Sequence, residues 1–146
     1  MEWDSLTVEM ILLAGIIWFS IYLEHWAYRW VNKKEDRKSL SNILKFIKDD
    51  LDHRSRFIDE CFKYNDYKPF LTDMWDAVIT AGKQSLLDFE LFQSIQRAYS
   101  WMKYYNSELD WNKNKVLDEK GLQELLLEVK KSIEKAVVKI DEFKKI

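Results

Sequence analysis

The feature that most constrains this chain is an uncharged, apolar run near its N-terminus, residues 10–23. The run is shorter than the roughly 20 residues that cross the hydrocarbon of a membrane as a helix. Centred on Ile16 and Ile17, however, a span of about 20 residues reaches from Thr7 to Trp26. Because the run has no polar face, a soluble amphipathic helix is disfavoured. We therefore predict a membrane anchor helix in residues 1–31, with a core helix of a soluble protein as the alternative.

The residues that flank the run indicate its orientation. The preceding residues are acidic, whereas a signal peptide begins with basic residues and ends at small ones. Basic residues follow the span instead: Lys33, Lys34, Arg37 and Lys38. Because basic flanks remain in the cytoplasm, we expect a single-pass protein with its N-terminus outside and residues 32–146 inside.

Four aromatic residues recur every four positions in this segment: Trp18, Tyr22, Trp26 and Trp30. On a helix they form a slowly drifting stripe. One interpretation is a docking face for another membrane helix or a lipid-like cofactor. The other, which we prefer, is an interfacial aromatic belt in contact with membrane lipid, since such rings favour the headgroup level.

The remaining residues, 32–146, predict a domain of helices. The whole chain has 3 Gly and 1 Pro, and sheet-rich folds need many turns that use these residues. Apolar residues alternate at steps of three and four over about 39–63 and 89–111, and again from about 118. Thr72 is expected to cap a short helix that Gly82 ends. We therefore expect an all-α fold, in which the transmembrane helix precedes an antiparallel bundle of three long helices and one short helix.

Two polar residues stand in the apolar seams of these helices. Arg54 is expected to form an ion pair with a nearby aspartate, Asp50, Asp52 or Asp59. Asn106 should be hydrogen-bonded, to Tyr99, Arg54 or a backbone carbonyl, because a buried amide without a partner costs about 1–3 kcal/mol. Leucine in its place is expected to keep the fold and to raise its stability or loosen its uniqueness, whereas aspartate should destabilise it more.

No pattern in the chain assigns a catalytic residue, a cofactor or a metal. The loop at 110–118 places Asp110, Asn112, Asn114 and Asp118 at calcium-ligand positions, but Lys115 and Gly121 occupy the places of the required Gly and Glu. Cys61 is the only cysteine, which excludes an intrachain disulfide and disfavours a zinc site. The nearly balanced charges of residues 32–146 disfavour nucleic-acid binding. No small-molecule substrate is indicated.

The segment from Phe70 to Gly82 contains the pattern T-D-x-W-D…G, and Tyr99 and Asn106 follow it. With these residues the chain resembles a loosely defined group of uncharacterised prokaryotic single-pass membrane-anchored helical proteins. The group carries a membrane helix, a helix like residues 40–63, a short helix with this pattern, and a long helix with spaced Tyr and Asn. The resemblance covers residues 8–109. It supports the architecture and implies no activity.

The sequence thus predicts a non-enzymatic, membrane-anchored interaction or scaffold protein whose cytoplasmic bundle binds another protein. The alternative is an accessory single-pass subunit of a larger integral membrane complex, either an enzyme or a transporter. In that case the aromatic stripe would be its docking face. A stable, stoichiometric membrane partner would favour the alternative.

Overall fold

The computed structural model describes residues 2–113 and 118–145, and side chains from residue 5 onwards within those ranges. This part of the chain is all-helical and contains no strand, as predicted. The elements are α1 (Glu2–Tyr64), α2 (Asp73–Thr80), a 3-10 helix (Lys83–Leu86), α3 (Phe89–Asn112) and α4 (Glu119–Lys144). Residues 32–38, which lack Gly and Pro, lie within α1.

The chain divides into two compact units, Met1–Ser39 and Leu40–Ile146. In the first unit, the large apolar side chains from Leu6 to Val31 are 46–76% exposed. These side chains do not build a core within the unit. Its apolar surface is therefore open.

The second unit contains a hydrophobic core that draws residues from α1, α2, α3 and α4. The apolar seam predicted for α4 is buried at all of its positions except the last, which is partly buried; the seam consists of Leu122, Leu126, Val129, Ile133, Ala136, Ile140 and Phe143. From α1, the core takes Leu44, Ile47, Leu51, Ile58 and Cys61. Full burial of one such aliphatic side chain stabilises a fold by about 1.5–3 kcal/mol before the entropy cost.

The buried face of α3 differs in part from the seam that the steps of three and four predict, which consists of Phe92, Ile95, Tyr99, Met102, Asn106 and Leu109. Phe92 and Asn106 are only partly buried, whereas Leu91, Ala98 and Tyr105 are fully buried. These three residues each precede a predicted seam position by one. The reason is that the helix contacts its neighbours over a face wider than a single seam, centred slightly to one side of the predicted line.

The ends of the helices follow local capping chemistry, with one exception. The carboxylate of Asp88 accepts a hydrogen bond from the Leu91 backbone N–H at 2.7 Å, and Gly82 has the left-handed φ of 68° expected of it. The predicted cap by Thr72 is wrong, because its hydroxyl donates to Asp76 at 3.2 Å and caps no backbone N–H. The ψ of 12° at Thr72 departs from the extended backbone that brings a capping side chain over the first turn.

Candidate membrane surface and buried polar clusters

The aromatic stripe of α1 is exposed along its whole length. Trp18 is 76% exposed, and Tyr22, Trp26 and Trp30 are 59–62% exposed. By length and composition, the described part of the chain holds one helix that could cross a membrane. None of the most apolar stretch of that helix is buried. The four rings are thus available to lipid or to another helix.

The apolar segment contains a serine hydroxyl that is hydrogen-bonded within its own helix. The Ser20 hydroxyl donates to the Ile16 carbonyl oxygen one turn earlier at 2.9 Å. A serine bonded in this way leaves no unpartnered donor on an apolar helix. At Ser20 the segment is therefore compatible with a hydrocarbon environment.

In the second unit, a polar cluster lies at the position of Arg54. Its guanidinium is 2.9 Å from one carboxylate oxygen of Asp50, and the hydroxyl of Tyr99 donates to the other oxygen at 2.6 Å. Both charged side chains are about 85% buried, with exposures of 16% and 15%. Burial first, and then the bond to Asp50, raises the pKa of Tyr99. Of the three aspartates expected as partners, Asp50 is the one that pairs with Arg54, while Asp59 pairs with Lys130.

Aromatic contacts extend this cluster towards α2. The rings of Trp75 and Tyr99 stack at 5.6 Å with an interplanar angle of 7°. The indole N–H of Trp75 donates to Gln96 at 2.7 Å. Asp50 and Tyr99 thus tie α1 to α3, and Trp75 ties α2 to α3. Because both oxygens of Asp50 are occupied, the arrangement is suited to holding helices together.

A second polar contact fastens the loop before α2 to α3. The side-chain amide of Asn106 accepts from the Phe70 backbone N–H at 2.7 Å and donates to the Phe70 carbonyl oxygen at 2.8 Å. The ring of Phe70 lies 5.2 Å from both Phe57 and Tyr105, edge-on in each case. We call this pair of hydrogen bonds the Asn106 clasp. Of the three kinds of partner expected for Asn106, the structure places a backbone carbonyl there. Phe70 itself carried no sequence signal beyond being an apolar residue in a polar loop.

Metal sites and reactive thiols each have requirements with which the described residues can be compared. Within ranges 2–113 and 118–145, no group of three or more potential metal ligands comes together. Asn114 and Lys115 of the loop compared with calcium sites lie outside these ranges, and Asp118 caps α4 through the Gly121 N–H at 3.1 Å. Cys61 is buried, and burial raises the pKa of its thiol.

An aromatic surface on α3 was not anticipated from the sequence. Trp101 and Tyr104 meet edge-on at 5.9 Å, and Arg97 and Ser100 complete a shallow hollow around them. We call these four residues the α3 patch. Tyr104 is 49% exposed and is open to a partner, whereas Trp101 is partly buried and also packs against the core. The alternating pattern of α3 gave no sign of it, because aromatic residues in a seam and on a surface look alike in sequence.

Within the described ranges, the geometry therefore offers an exposed apolar segment of α1, an aromatic patch on α3 and two internal polar contacts. None of these features by itself assigns the chain to one functional class of protein. No protein-family model, curated protein or solved structure matches this chain.

Proposed function

We propose that this chain is a single-pass, membrane-anchored helical protein whose cytoplasmic domain binds another protein. The observation that carries the proposal is the contrast between its two units. Large apolar side chains are 46–76% exposed in the first unit, whereas those of the core of the second are at most 9% exposed. Contiguous apolar surface of this extent is typical of a membrane or binding surface, because water exposure costs about 25 cal/mol per Å².

The flanks of the span support the proposed orientation. Glu9 and Glu24 lie about 11 Å from the centre of the span by helix rise, near enough to its ends for their carboxylates to reach water. The basic residues beginning at Lys33 lie after the span, which favours a cytoplasmic second unit.

We further propose that the long helical segments of the second unit form a bundle in which α4 runs against the other two. Lys48 pairs with Asp141 and Asp59 pairs with Lys130, each at 2.6 Å. As residue numbers rise along α1 they fall along α4, which is the order of opposed helices. A contact of 3.3 Å between Lys139 and Glu90 supports the same relation between α4 and α3. Residues 65–88 would then carry the chain back between α1 and α3.

The α3 patch is the surface that best suits a protein partner. Tyrosine, tryptophan and arginine are enriched at protein interfaces, where rigid rings contribute contact area at little entropic cost. In the patch, Trp101 and Tyr104 already contact each other, so their geometry is partly set before binding.

Membrane insertion and orientation can be tested with the full chain in cells. After the membranes are washed with carbonate at high pH, the full chain should remain in the membrane fraction. Cysteine placed at exposed Ser5 should react with a membrane-impermeant maleimide in intact cells, whereas cysteine at exposed Lys131 should react only after permeabilisation. Buried Cys61 supplies a low background. Carbonate extraction would refute the anchor, and reaction of Lys131→Cys in intact cells would refute the orientation.

The exposed stripe also favours a second function, that of an accessory subunit of a membrane complex. Purification in a mild detergent distinguishes the two. A soluble partner that is lost in the Arg97→Ala/Tyr104→Ala variant, in which both replaced side chains are exposed, supports the first function. A stoichiometric membrane partner that is lost in Trp18→Ala/Tyr22→Ala supports the second. The matched control is Leu13→Ala, a position on the opposite face of the same helix.

A further inference from the structure

One face of α1 just beyond the proposed span combines an exposed ring with basic side chains. Trp30, Lys33, Lys34 and Arg37 line a surface hollow of about 350 Å³. Their spacing places them on one side of the helix. The ammonium of Lys34 lies 5.8 Å from the centre of the Trp30 ring, at cation–π distance. We call these four residues the basic face.

The charges of this segment are separated around the helix. At 3.6 residues per turn, the three cations lie within about 60° of Trp30, whereas Glu35 and Asp36 lie more than about 100° away from it. In the part of the chain that the structure describes, the ion pairs involve other residues and leave the three cations of the basic face unpaired. The face therefore presents uncompensated positive charge, although acidic residues stand beside it in sequence.

The distance of the basic face from the end of the proposed span determines which part of the lipid its side chains can reach. If the span ends near Trp26, Lys33 lies about 10 Å beyond it by helix rise. The headgroup layer of a bilayer is about 5–8 Å thick on each side, and a long basic side chain can bend back towards it. The cations thus lie within reach of lipid phosphates.

We propose that the basic face binds the phosphate of an anionic phospholipid in the cytoplasmic leaflet, an inference that rests on the membrane span and orientation proposed above. The guanidinium of Arg37 offers paired donors that match two phosphate oxygens. Lys33 and Lys34 add point charges, and Trp30 occupies the interfacial level. Basic residues immediately cytoplasmic of a membrane helix favour anionic lipid in this way.

The test uses the full-length chain in dodecyl maltoside, titrated with phosphatidylglycerol or phosphatidylcholine, with bound lipid counted by native mass spectrometry. The wild-type chain should bind phosphatidylglycerol more tightly than phosphatidylcholine. Replacing Lys33, Lys34 and Arg37 together by Gln should raise its apparent Kd about 100-fold, roughly fivefold for each charge. The control variant replaces three exposed lysines of the second unit by Gln, Lys120, Lys131 and Lys135. It should bind like the wild type.

Equal Kd values in the wild type and the basic-face variant would overturn the inference, as would equal weakening in the control variant. Displacement of phosphatidylglycerol by inorganic phosphate at a similar concentration would overturn the choice of a lipid as the ligand. Flotation of both variants with neutral phosphatidylcholine vesicles tests the anchor separately. A chain that floats but shows no preference for anionic lipid refutes this inference alone, whereas a chain that does not float refutes the proposed function.

Discussion

The Asn106 clasp allows a quantitative test of what holds the loop before α2 in place. Asn106→Leu removes both hydrogen bonds to the Phe70 backbone, which measure 2.7 and 2.8 Å. Each bond contributes a net of about 0.5–1.5 kcal/mol, so the pair is worth about 2 kcal/mol. The additional apolar surface that leucine buries stabilises the fold by at most about 1 kcal/mol. We expect a net loss of about 1–2 kcal/mol in the free energy of unfolding. The hydrogen bonds of the clasp thus reverse the sequence-based expectation that leucine would keep the fold and either raise its stability or loosen its uniqueness.

Asn106→Asp should behave differently, because its effect depends on pH. A carboxylate can still accept from the Phe70 N–H, but its second oxygen faces the Phe70 carbonyl oxygen without a proton between them. This repulsion should raise the pKa of the introduced Asp above its unfolded value of about 3.9. A group whose folded pKa is raised stabilises below the unfolded pKa and loses that contribution as pH rises. The variant should therefore regain stability relative to wild type between pH 7 and pH 4.

The assay is thermal unfolding followed by circular dichroism in the fragment 36–146. For a domain near 100 residues, 1 kcal/mol corresponds to about 4–8 °C in Tm. Asn106→Leu should therefore lower Tm by about 5–15 °C at pH 7. The neighbouring Ser107→Ala is the control, because Ser107 is exposed and its hydroxyl bonds only within its own helix. If both Asn106 variants melt like wild type at pH 7, the clasp does not hold the loop.

Two further predictions concern the second unit. The fragment 36–146 should be soluble, strongly helical and cooperative in melting, because its core residues all lie between Leu44 and Ile140; aggregation or gradual melting would mean that the membrane helix or a partner completes the core. Burial and the bond to Asp50 raise the pKa of Tyr99, so its contribution is complete below the unfolded tyrosine pKa of about 10 and is lost as pH rises above it. Tyr99→Phe should therefore flatten the fall in Tm between pH 9 and about 11.5, whereas a slope equal to that of Tyr104→Phe, the exposed control, would contradict this reasoning.

Local chemistry in the sequence determined most of the helical architecture. Gly and Pro are scarce, so long helices were expected, and Asp88 and Gly82 mark a helix start and a helix end through interactions with their immediate neighbours. The seam of α4 was predictable because a repeat of three and four residues places apolar side chains on one face whatever they pack against. The uncharged run at 10–23 likewise identified the open apolar segment by composition alone.

Tertiary structure decided which distant groups complete the polar contacts. Arg54 pairs with Asp50 four residues earlier in its own helix, a spacing that helix geometry itself favours, whereas the Tyr99 hydroxyl that donates to the other Asp50 oxygen is distant in sequence. The partner of Asn106 is the backbone of Phe70. Since every residue has a similar backbone, the sequence does not identify which residue provides this partner. The buried face of α3 is also displaced from the predicted seam, because the helix contacts neighbours over a face wider than that seam. Hydrogen-bond partners and exposed faces are properties of the assembled helices, whereas helix positions and ends depend mainly on contacts within a few residues.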